Sequence, residues 1–71
     1  MTIELHKTIK AGGTQYNVLL IEQDGIFEYY LQKVGYGDLM HIVGTLEKIE
    51  LDDDYIIQSI SGAIQENFWR D

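Results

Sequence analysis

Three glycine-bearing reversals, Gly12-Gly13, Asp24-Gly25 and Gly35-Tyr36-Gly37, cut the chain before residue 45 into short runs rich in β-branched and aromatic residues. A helix across them is costly. Spanning Ile26 to Val43 as helix would bury Gly35 and Gly37 in its middle, at about 2 kcal/mol for the pair. Asp24-Gly25 between two β-prone runs is the sequence of a type I′ turn, which needs positive φ at both central residues.

The runs between the reversals read as strands. Ile3, Leu5 and Ile9 alternate with Thr2, Glu4, His6 and Thr8, which predicts a half-buried first strand broken only by Lys7 on its apolar face. Tyr16 to Ile21 is apolar on both faces, as an interior strand covered on both sides would be, and is expected at the centre of the sheet. The third strand runs from Ile26 to Val34, with Phe27, Tyr29 and Leu31 facing the core and Ile26, Glu28, Tyr30, Gln32 and Val34 on the mixed face. Leu39 to Val43 is the fourth, ending near Gly44. Thr45 to Leu51 mixes acids with Leu46, Ile49 and Leu51, and fits either a strand extension or an irregular crossover.

After Leu51 the period changes from two to that of a helix. Ile56, Ile57, Ile60, Ala63, Ile64 and Phe68 form one apolar stripe, with Gln58, Ser59, Ser61, Gln65, Glu66 and Asn67 on the remainder. Asp52, Asp53 and Asp54 lie where free backbone N–H groups and the positive end of the helix dipole favour carboxylates, and one of them is expected to cap the helix. Gly62 within the helix costs about 1 kcal/mol relative to alanine and implies close approach to the sheet or a slight bend.

The expected fold is therefore α+β: a four-stranded antiparallel β-meander with one C-terminal amphipathic helix packed on one sheet face (ββββα), spanning residues 1–71 as a single small domain. A chain of this size buries only about 60% of the surface its unfolded form exposes. With 45% apolar residues and eight aromatics it still has enough to form a core. One helix covers one face, so the opposite face of a sheet with an apolar second strand is available to a partner. No proline guards the edge strands, and a homodimer by stacking or edge pairing is the corollary.

The charge is unevenly placed. Up to Tyr36, Lys7, Lys10 and Lys33 nearly balance Glu4, Glu22, Asp24 and Glu28, whereas Gly37 to Asp71 carries eight acids against Lys48 and Arg70. Five basic residues against twelve acids provide no stripe for a phosphate backbone, so direct nucleic-acid binding by the tyrosines is not expected. Anionic membrane surfaces repel such a chain, and no run approaches the roughly 20 apolar residues that span a bilayer. The start, Met1 to His6, alternates apolar and polar residues and lacks the basic region and apolar run of a secretory signal; a soluble cytoplasmic protein is expected. The absence of cysteine removes disulfides, thiolate nucleophiles and cysteine-ligated zinc.

Candidate catalytic and metal chemistry is sparse. Three consecutive aspartates entering a helix lack the alternate ligand positions of a calcium loop, so capping and solvated charge account for Asp52 to Asp54. His6 and His41 are the sole imidazoles and need a converging acid such as Glu4 or Asp38 to form a site; a structural role is the plainer reading. The glycine turns match no phosphate-loop pattern. No cofactor, metal or catalytic group is assigned, and a non-enzyme is expected.

Two functional expectations follow. The first is a small acidic, non-catalytic interaction module, of adaptor or inhibitor type. It presents Glu47, Glu50, Asp52, Asp53 and Asp54, with no cationic counterweight in the same monomer, to a basic surface on a partner protein. Tyr36 and Trp69 serve as aromatic anchors. Where that partner handles nucleic acid, the rim would act as a nucleic-acid mimic of the kind phages and mobile elements use as inhibitors. The second is a self-associating domain that functions as a homo-oligomer through its uncovered sheet face.

Overall fold

The computed structural model describes residues 1–70 and contains β1 (Thr2–Ala11), β2 (Thr14–Gln23), β3 (Ile26–Lys33), β4 (Leu39–Thr45) and α1 (Asp53–Gln65). The strands form one antiparallel sheet in the order β1-β2-β3-β4, and α1 covers one face, giving the ββββα meander. Asp24 and Gly25 both adopt positive φ, 55° and 76°, the backbone of the expected primed turn between β2 and β3. Among the described residues, no helix is long and apolar enough to cross a membrane.

Antiparallel pairing fixes which side chains share a face. Val18 lies opposite Leu31 and Leu20 opposite Tyr29, and all four are buried beneath α1 together with Tyr16. From above, Ile56, Ile60 and Ala63 close the core, each large apolar group contributing roughly 1.5 to 3 kcal/mol. The expected inward set of β3, Phe27, Tyr29 and Leu31, does face this core. On β2 the opposite side is only half covered, since Leu19 and Ile21 are partly accessible. The second strand is interior but not enclosed on both sides.

Two bulges reshape the edges. In β1 the register steps from Leu5 opposite Leu19 to Lys7 opposite Val18, leaving His6 as the extra residue. The alternating run is thereby divided between faces: Ile3 and Leu5 point away from the helix, while Lys7 and Ile9 point toward it. Ile3 and Leu5, expected to be half-buried with Ile9, are instead 58% and 57% exposed. In β4 the step falls between Val43 and His41, so that Ile42 and Val43 both pack against the core.

The helix differs from expectation in four details. Asp52 occupies the N-cap position with extended backbone, φ −69° and ψ 142°, but its side chain makes no capping hydrogen bond. Ile57 and Ile64, assigned to the apolar stripe, are 43% and 59% exposed because each lies on its flank, about 100° round the helix from the buried residue before it, Ile56 or Ala63. Nothing lies within 4 Å of the place a Gly62 Cβ would occupy, so no close approach explains that glycine. The helix stops before Phe68: Asn67 takes φ 53°, Asn67 N–H bonds Ile64 O at 3.0 Å and Phe68 N–H bonds Ala63 O at 2.9 Å, a Schellman end. That reversal returns Phe68 and Trp69 to the core.

Ile60→Asp places a carboxylate in the helix–sheet core and should abolish the cooperative melt followed by far-UV circular dichroism, whereas Gln65→Lys on the exposed side should shift it by less than about 0.5 kcal/mol. Equal behaviour of the two variants overturns the helix orientation.

Candidate functional site

The segment from Leu46 to Asp52 is neither strand nor helix; it is the crossover that carries the chain from β4 to the start of α1. Three side chains of the sheet fasten it. The Tyr29 hydroxyl, on β3, donates to Ile49 O at 2.7 Å and accepts from Ile49 N–H at 2.8 Å. On β1, His6 Nε2 accepts the Leu51 N–H at 3.2 Å and the Lys7 ammonium donates to Leu51 O at 2.9 Å. His6 and Tyr29 also meet edge to face, with ring centroids 5.2 Å apart. Leu51 is buried in consequence.

This fastening sets out the acidic ridge at the start of α1. Glu47, Glu50, Asp52, Asp53 and Asp54 are all exposed, as expected. The expectation that the ridge has no internal counterweight is corrected by Lys7, which reaches Asp53 Oδ1 at 3.0 Å and Glu50 Oε1 at 3.7 Å. The bulge at His6 explains it, because it turns Lys7 toward the helix. The hydrogen bond to Asp53 holds the Lys7 ammonium above the ordinary lysine range, against partial desolvation. Lys48 is engaged elsewhere, with Glu4 at 3.0 Å. Among the described residues, Glu47, Asp52 and Asp54 have no ion-pair partner.

The aromatic anchors do not join the ridge. Trp69, expected at the surface, is only 6% exposed; it packs on Tyr16 and Phe68, and its Nε1–H donates to Asp38 O at 3.1 Å. It follows the far end of α1 and belongs to the core. Tyr36 is half-buried in the β3–β4 connection, with the Lys33 ammonium 4.6 Å from its ring centre.

The two histidines lie on opposite faces of the sheet. His41 pairs with Glu28 and meets Tyr30 edge to face on the side away from α1, so the convergence that a shared site would need is not present. Glu28 lies over Gly44, where a Cβ would stand 2.8 Å from its Oε2.

The second surface is that open face. Ile3, Leu5, Leu19, Ile21, Ile26 and Tyr30 occupy one end of it, by register. Toward the other end runs a lateral ladder, Thr8 Oγ1 to Asn17 Oδ1 at 3.0 Å and Asn17 Nδ2 to Gln32 Oε1 at 3.3 Å. The sequence signal for this division was Lys7 itself, the charge that breaks an otherwise regular apolar alternation.

No protein-family model, curated protein or solved structure matches this chain.

Because His6 Nε2 accepts the Leu51 N–H, a proton on that nitrogen breaks the bond. Burial, and after it the positive charge of Lys7, hold the His6 pKa below its ordinary 6.5 against the opposing charges of Glu50 and Glu4. The unfolded chain then takes up the proton first as pH falls, so this contribution to stability is complete above 6.5 and declines below it. The loss in melting temperature between neutral and mildly acid pH should be smaller in His6→Gln than in the wild type; an equal loss removes His6 from the account. Tyr29→Phe removes both bonds to Ile49 and should cost about 1 to 3 kcal/mol in urea denaturation.

Proposed function

We propose that this chain is a non-catalytic protein-interaction module of adaptor or inhibitor type, acting in the cytoplasm, that presents the ridge at the start of α1 to a basic surface of a partner protein. One observation carries the reading. A single lysine serves two of the five ridge carboxylates, and Glu47, Asp52 and Asp54 remain exposed without an ion-pair partner among the described residues.

Lys7 gives the ridge a fixed form rather than erasing it. By holding Glu50 and Asp53 together it leaves a net negative surface on an ordered backbone, and an ordered charge loses less entropy on binding than one on a free loop. Such a field mainly accelerates encounter with cationic surfaces and weakens as salt rises. A partner surface that ordinarily holds phosphates has the matching sign of charge, which brings a nucleic-acid mimic within this reading.

Glu47→Gln, Asp52→Asn and Asp54→Asn combined leave the Lys7 contacts in place. Proteins captured from extract of the source cells by the wild type at low salt should be lost, or associate at least about tenfold more slowly, with the triple variant. The same proteins retained equally by both, at low and high salt, end the electrostatic reading.

A further inference from the structure

We propose that the face of the sheet opposite α1 binds a second copy of this chain, giving a dimer stacked face to face with both acidic ridges outward. The inference does not rest on the ridge's having a partner. It rests on how charge and apolar surface are divided.

The chain carries a formal net charge of −7, so two copies repel through most of their surface. The open face is the exception. Register places Glu28 there as its one acid within the strands, paired with His41, and Lys10 as a basic residue at its polar end. Beside them Ile3, Leu5, Leu19, Ile21, Ile26 and Tyr30 present an apolar area. Ile21, Gln23, Ile26, Glu28 and Tyr30 line an open hollow there into which side chains of a facing sheet can enter, with Asp24 of the β2–β3 turn as a second acid at its rim. The surface that best complements an apolar sheet face with few charges is another of the same kind, and aligned sheets stack at about 10 Å.

The edges offer a poorer route. β1 and β4 are the outer strands, and each contains a bulge, at His6 and at Ile42, that breaks the regular row of backbone groups an incoming strand would need. Stacking is left as the mode of association. The apolar end occupies roughly half of a face about 33 Å long and 19 Å wide, which is small beside the ~800 Å² per partner of a standard interface, so the dimer is a weak one.

Sedimentation equilibrium of the full chain, from low to high micromolar concentration, should show the mass rising from one chain to two. Leu5→Lys, at a position already exposed in the monomer, should keep its circular dichroism spectrum and raise the dimer dissociation constant by at least about tenfold. Ile26→Lys, on β3, provides the same test independently. Asp52→Asn with Asp54→Asn should leave the association curve unchanged, separating this surface from the ridge. A wild type that remains monomeric throughout overturns the proposal, whether or not some other protein binds the face. So does a dimer that both lysine variants leave intact, which would place the contact on an edge or on the helix flank.

Discussion

The arrangement of this small domain depends on how the crossover between β4 and α1 is held. A meander brings the chain out at one edge of the sheet, and nothing in strand pairing tells the following helix where to begin. Here the crossover travels from β4 over Tyr29 on β3 to His6 and Lys7 on β1, and each crossing is a hydrogen bond to its backbone. Irregular backbone over a core has polar groups to satisfy, and their loss to a dry surface costs about 1 to 3 kcal/mol each. By supplying partners from three side chains, the sheet gives the crossover a single favourable path. The helix therefore starts above β1, crosses the core and ends where Trp69 meets Tyr16 and the Asp38 carbonyl.

The extra residue in β1 couples the two surfaces of the molecule. Without a bulge, Ile3, Leu5, Lys7 and Ile9 would share one face, so Lys7 and Ile9 could turn to the helix side only together with Ile3 and Leu5. With His6 inserted, the apolar beginning of the strand turns to the open face while His6 and Lys7 turn to the crossover. One local irregularity thus produces the apolar patch on one side and the fastening of the acidic ridge on the other. The net effect of moving Ile3 and Leu5 to solvent is unfavourable for a monomer, at roughly 25 cal/mol for each Å² left wet, and a facing apolar surface recovers part of it.

The legible part of the fold was that governed by local chemistry. Glycine at turn positions and the shift from a period of two to the helical one identify all five elements and their order, because positive φ and amphipathic burial are properties of neighbouring residues. The inward face of β3 was equally readable from Phe27, Tyr29 and Leu31. What the sequence hid arises from pairing across distance. Bulges depend on the partner strand, so Ile3 and Leu5 were placed on the wrong face. The burial of Trp69 depends on a Schellman turn at Asn67, a residue type that tolerates positive φ but lies inside an apolar spacing that continues to Phe68. Lys7 looked like a blemish in a strand, and its bonds to Leu51, Asp53 and Glu50 span separations that no local window contains.

Charge placement links these surfaces. In a domain this small there is little room to protect an apolar face by covering it, and a second helix is not present among the described residues. Acid on the helix side and on the turns keeps most approaches repulsive, while bulges spoil both edges for strand addition. The open face is thereby the approach with the least opposition between like copies. The same acids cannot also lie on that face without spoiling the stack. Concentrating them at the helix start, where the dipole favours carboxylates and one lysine holds two of them in place, satisfies both demands with a single segment of chain.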